Sequence, residues 1–202
     1  MSALIRTVTL ALALSATAFA AGAQEAAPEP TEGQAAGSDL SMGSTAEPAV
    51  GQLYVAGEFG DWDLRCVKSE EGNDPCQLYQ LLVDAEGNSV AEVSLFNIPD
   101  GGPAVAGATI ITPLETLLTE QLRLGIDAAE TKQYPFSFCS QVGCFSRIGL
   151  TEAEVEALRR GVEATVTIVP AAAPGQRVEL KMSLAGFTAG FQAVIDSNTA
   201  AQ

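Results

Sequence analysis

From Leu53 onward, apolar and polar residues alternate with period two, in short runs broken by Gly, Pro, Asn and Asp. That is the pattern of half-buried antiparallel strands, each turning one face to a core and the other to water. In the run from Trp62 to Cys66 the tryptophan, Leu64 and Cys66 share one face, so Trp62 is expected inside and Asp61, Asp63 and Arg65 outside. Further strands are predicted over 78–83, 90–98, 105–112 and 121–127, separated by turn chemistry at 84–88 and 99–103. Val162, Ala164, Val166 and Ile168 alternate with polar residues, as do Val178, Leu180, Met182 and Leu184, and these two runs are expected to pair. Thr151 opens a helix of roughly ten residues, with Glu154 completing a capping box, Arg159 and Arg160 in the last turn and Gly161 as the stop. Phe187, Phe191 and Val194 or Ile195 then fall at helical spacing and predict a short C-terminal helix. The fold class that follows is mostly β: an antiparallel β-sandwich with one short crossing helix, a short C-terminal helix and two disulfide-stapled hairpins.

Two N-terminal blocks break this pattern. Residues 1–23 carry one cation, Arg6, then an Ala/Leu/Val-rich run ending in Ala18-Phe19-Ala20 and Ala21-Gly22-Ala23, the form of a cleaved signal peptide. Residues 24–50 are rich in Ala, Gly, Pro, Ser and Thr and hold five acids without one base, too little apolar content to offset the entropy of ordering. They are expected to be a disordered acidic tether. Residues 51–202 form the single β-rich domain, and no segment after the leader is long and apolar enough to span a bilayer.

Charge and composition narrow the function. The chain carries 25 acidic and 10 basic residues, a formal charge of -15, which disfavours nucleic acid as a partner because a phosphate backbone needs a cationic face. Removing the tether's acids and Arg6 leaves 20 acidic and 9 basic residues in the domain. An acidic surface opposes pairing between copies, so a monomer is expected. There is no histidine, which removes the usual general base near neutral pH and every Ser-His-Asp or Cys-His arrangement. No catalytic motif stands elsewhere, and an enzyme is not expected; no cofactor is implied.

The four cysteines are an even number in a chain marked for export, which favours disulfides over zinc. Cys66 with Cys76 and Cys139 with Cys144 each bracket a turn, so these pairings are expected to staple two hairpins, each stabilising by roughly 2–3 kcal/mol in the loop-entropy estimate. Asp61, Asp63, Asp74 and Asp100 lack the spacing and the terminal Glu of a calcium loop and are read as solvated, so no metal site is expected. Phe136, Phe138 and Phe145 surround the second cysteine pair. They form either an exposed patch for a partner or part of the core around Trp62, and the sequence leaves both open.

Together, the leader, Gly60-Asp61-Trp62, Cys66, Cys76, Phe138-Cys139, Gly143-Cys144, the Thr151 helix and Ser183-Leu184-Ala185-Gly186-Phe187 resemble the invasion-associated locus B family of alphaproteobacterial envelope proteins. The resemblance covers about residues 55–195. It implies a small exported β-rich domain, periplasmic or attached to the outer membrane, linked in its namesake to entry into host cells, and it supplies no catalytic residue. The function expected is that of a non-enzymatic envelope protein acting through contacts with an unknown protein partner in the envelope or on a host cell, in adhesion or invasion. The alternative is a periplasmic binding or assembly module for envelope integrity with no host role.

Overall fold

A computed structural model describes residues 47–100, 102–127 and 130–200. The predicted signal peptide and nearly all of the predicted tether lie outside these residues. The chain from 47 onward forms eleven strands, two α-helices and a 3-10 turn (Leu118–Glu120) among the described residues: β1 (Leu53–Phe59), β2 (Trp62–Val67), β3 (Cys76–Val83), β4 (Ser89–Asn97), β5 (Ala106–Thr112), β6 (Leu122–Ile126), β7 (Lys132–Tyr134), β8 (Phe136–Ser140), β9 (Gly143–Leu150), α1 (Glu152–Arg160), β10 (Glu163–Ile168), β11 (Val178–Ser183) and α2 (Phe187–Ala200). Every pairing between these strands is antiparallel.

The two leaves of the expected sandwich are parts of one sheet. Its ladder runs β7-β6-β10-β11-β3-β4-β5-β9-β8, while β2 and then β1 branch from β3. The two ends of that ladder, β7 and β8, are consecutive in sequence with only Pro135 between them. One extended stretch therefore pairs β6 with its first half and β9 with its second, and the sheet curls into a nearly closed barrel. Proline suits this corner because it has no N–H to leave unpaired where the partner changes. Its carbonyl accepts a hydrogen bond from the buried Ser146 Oγ at 3.1 Å, which ties the corner to β9.

The core follows the alternation. Trp62, Leu64 and Cys66 of β2, Leu78 and Leu82 of β3, Val93 and Leu95 of β4, Val166 of β10 and Leu180 and Met182 of β11 all face inward and are buried. The helix α2 supplies Phe187, Phe191 and Val194 to the same cluster. Phe187 meets the Trp62 ring edge-on at 5.7 Å and stacks on Phe191 at 5.5 Å, an arrangement that adds to the area these rings bury.

Three details differ from the sequence expectation. The C-terminal helix, expected to be short, has 14 residues, and Asn198 fastens its far end. That side chain accepts from the Cys76 main-chain N–H at 2.8 Å and donates to the Cys76 carbonyl at 3.1 Å and to Asn97 Oδ1 at 2.7 Å. Gly161 ends α1 in extended backbone, not in the left-handed form. Glycine is needed there for space: a Cβ would lie 2.6 Å from Leu184 Cδ1 and 2.7 Å from Asp127 Oδ2. Val162 does not join Ala164 and Val166 inside; it precedes the strand and is exposed, its N–H donating to Asp127 Oδ1.

Candidate contact surface

Most residues that mark the chain in sequence serve the fold. The turn between β1 and β2 docks on the exit of β11. Trp62 Nε1 donates to the Ser183 carbonyl at 2.9 Å, and the buried Gln80 side chain donates to the Asp61 and Ser183 carbonyls, both at 3.1 Å, while accepting from Ser183 N–H. Ser183 Oγ donates to Asp61 Oδ2 at 2.5 Å, and the Asp61 main-chain N–H donates to the Ala185 carbonyl at 3.2 Å. Gly60 and Gly186 both adopt positive φ (60° and 87°), and the backbones press together so closely that a Cβ on Gly60 would lie 2.5 Å from the Ala185 oxygen. This is a clasp joining two remote segments.

Two further acids that the sequence reads as solvated are also held by contacts. Asp63 pairs with Arg65 at 2.9 Å. Asp74 accepts from the Ser69 main-chain N–H at 2.7 Å, from Tyr54 Oη at 2.6 Å and from Lys68 Nζ at 3.2 Å. These bonds, with Ser69 foremost, hold its carboxyl well below the usual carboxylate range. Among the described residues no three potential ligands gather into a metal set.

A second polar group fastens α1. Thr151 and Glu154 form the predicted capping box, and Glu154 Oε1 also accepts from Lys132 Nζ at 2.7 Å and Tyr134 Oη at 3.3 Å. Burial acts to raise the Glu154 carboxyl, but the bonds from Lys132 and Thr151 prevail and bring it down to about 2. Burial, together with the Glu154 charge, pushes the Tyr134 hydroxyl up to about 12.

Both disulfides close the expected hairpins, Cys66 with Cys76 and Cys139 with Cys144. The first pair lies in the core. The second sits at the tip of the β8–β9 hairpin, with Cys144 buried and Cys139 on the outside. Here the aromatic cluster divides: Phe136 packs against the core, whereas Phe138 stacks on Phe145 with centroids 4.6 Å apart on the outer surface. Phe138 remains 45% exposed and Val142 at the tip 74%. Trp62 takes Phe187 as its partner instead. The Arg147 guanidinium stands 5.4 Å from the Phe138 ring, within cation–π range.

Sequence reading missed one signal. From Thr131 to Thr151 there is no acidic residue, only Lys132 and Arg147, in a chain that averages one acid in eight. The β8–β9 hairpin is thus an uncharged-to-cationic, aromatic projection on an acidic domain. Counting acids in windows, in place of totalling them, would have found it.

These features define a class: a disulfide-closed antiparallel β domain whose distinctive chemistry lies on its surface. The family model for Invasion associated locus B (IalB) protein matches residues 62–195, and the chain belongs to that family. It is 28% identical over 137 residues to invasion protein B homologs of Brucella abortus strain 2308 and of Brucella abortus biovar 1 strain 9-941, covering 67% of this chain and 76% of each relative. The fold is shared with the crystal structure of invasion associated protein B from Bartonella henselae at a TM-score of 0.61 and 24% identity, over 71% of this chain and 97% of that one. Family and disulfides together are those of an exported protein. Among the described residues no helix is long and apolar enough to cross a membrane.

Proposed function

We propose that this protein is a non-enzymatic envelope component that acts through protein contacts, residing in the periplasm or on the outer membrane. Residues 1–23 are its cleaved signal, 24–50 its acidic tether and 51–202 its monomeric contact domain. The observation that carries the reading is the Phe138–Phe145 stack held outside on a stapled hairpin. Aromatic side chains fixed on the surface beside an arginine have the composition of contact hot spots, and they cost little entropy to immobilise further. A non-catalytic role is supported by the acids, since Asp61, Asp63, Asp74 and Glu154 are each engaged in a contact that the fold uses. The relatives' names add invasion as the setting, with Phe138 and Phe145 as the contact residues.

Protease shaving of intact cells, with a lysed-cell control, tests the location. Loss of the domain from intact cells supports contact with other cells; survival until lysis moves the role to assembly inside the envelope. Crosslinking in the envelope tests the surface. A Phe138→Ser variant that keeps its melting temperature is expected to lose its crosslinked partner, and unchanged crosslinking would reject the hairpin as the contact site.

A further inference from the structure

On the outer face of the barrel, next to the Phe138–Phe145 stack, lies a trough of about 490 Å³. Its floor is a pair of glycines, Gly107 of β5 and Gly149 of β9, directly opposite each other in register. One wall is Phe96 of β4, whose ring lies over Gly107, with Ile98 beside it; the other is Arg147, opposite Thr109. Glycine within a strand weakens it unless something must come close to the backbone; at Gly107 that is the Phe96 ring, whereas Gly149 opposite it is exposed. Phe96 covers one glycine and leaves the other open: the nearest side chain to a Cβ on Gly149 would be Ala104, at 3.3 Å.

Electrostatics states what fits. No acid lines the trough, and Arg147 is its single charged residue. Arg65, which also faces outward, is engaged by Asp63 at 2.9 Å and by the Tyr79 ring at 3.2 Å. Arg147 makes no ion pair among the described residues, and its guanidinium stands 5.4 Å from the Phe138 ring. We infer that the Gly107–Gly149 trough is a docking site for an extended acidic peptide segment of a protein partner. An apolar side chain of that segment lies on the glycine floor against Phe96, and a carboxylate pairs with Arg147. This rests on the contact reading above and names the chemistry of the partner.

The test is a titration of isotopically labelled, disulfide-intact protein with three capped tetrapeptides, following the amides of Gly107, Arg147 and Gly149. The peptides are Asp-Leu-Phe-Asp, its uncharged form Asn-Leu-Phe-Asn, and Asp-Ser-Ser-Asp, which lacks the apolar centre. The first is expected to shift these amides and to bind about three- to fivefold more tightly than the uncharged form, the scale of a partly exposed ion pair. Arg147→Gln is expected to erase that difference, and Gly149→Ala to weaken the acidic peptide while the melting temperature stays the same. No shift at the two glycines, or equal binding by all three peptides, overturns the inference. So do equal shifts with 3-phenylpropionate, which would make this a small-molecule site, or shifts from raising protein concentration alone, which would make the occupant a second copy. A null titration alongside lost crosslinking in Phe138→Ser would remove the trough and leave the hairpin as the contact site.

Discussion

Gly60 and Gly186 show how much of this fold rests on single positions. Each has a positive φ, and each faces the other's backbone without room for a methyl group. Gly186→Ala combines left-handed strain with a clash against the Phe59 carbonyl, so a loss of about 3 kcal/mol in urea unfolding is expected. The comparison is Gly87→Ala, also at positive φ (85°) but with open space around it, which strains the backbone alone and should cost about 1 kcal/mol. Equal losses would mean that the clasp adds nothing beyond conformation. Gly60-Asp61-Trp62 could be seen in the sequence, and so could the burial of Trp62. Its bond to the Ser183 carbonyl, and that of Gln80 to the same oxygen, could not, because hydrogen bonds across 121 and 103 residues leave no local trace.

At the scale of elements, α1 is anchored as much by charge as by packing. Glu154 closes the cap and binds Lys132 and Tyr134 of β7. Its carboxyl lies at about 2 in the folded chain against an ordinary 4.5, so its contribution is fully present above pH 4.5 and is lost as pH falls toward 2. Glu154→Gln should cost about 1 kcal/mol at pH 7, the value of a cap, and the gap from the parent should close over that acid window in melting-temperature profiles. A gap constant down to pH 2 would show that the charge is not the cause. The helix itself was legible from Thr151 and Glu154, as were β2, β10 and β11 from their alternation. The three residues of β7 were not, since Lys132, Gln133 and Tyr134 show no apolar face and pair only because β6 lies alongside. The far end of α2 was equally hidden: Asn198 holds it through main-chain groups of β3 that periodicity does not report.

For the whole molecule, the decisive question is where a sheet that nearly closes is weakest. The ladder is extensively paired from β6 to β11 and from β3 to β9, with β11 joined to β3 through the single pair Lys181–Val83, whereas its ends meet through the chain at Pro135 and the hydrogen bond from Ser146. The strand β7 is three residues long, and β8 carries a bulge between Phe136 and Phe138. Short, irregular pairing gives few cooperative hydrogen bonds, so this seam should open without the rest of the barrel. The two disulfides reinforce unequally across that geometry: Cys66–Cys76 ties β2 to β3 in the core, and Cys139–Cys144 holds only the hairpin beside the seam. Replacing Cys139 and Cys144 together by Ala should therefore cost about 2 kcal/mol or less, and replacing Cys66 and Cys76 more, because two buried sulfur atoms are lost with the crosslink. Ser146→Ala removes the bond from the buried hydroxyl to the Pro135 carbonyl, a change of about 1–1.5 kcal/mol. Hydrogen exchange distinguishes a seam from a uniform loss. The amides of β7 and β8 should exchange faster by roughly tenfold in Ser146→Ala, with those of β3 and β4 changing less, as expected when the free energy of local opening falls and the global barrier is higher. Equal acceleration throughout would mean that the barrel opens as one unit and that the hairpin bearing Phe138 is as rigid as the core beneath it.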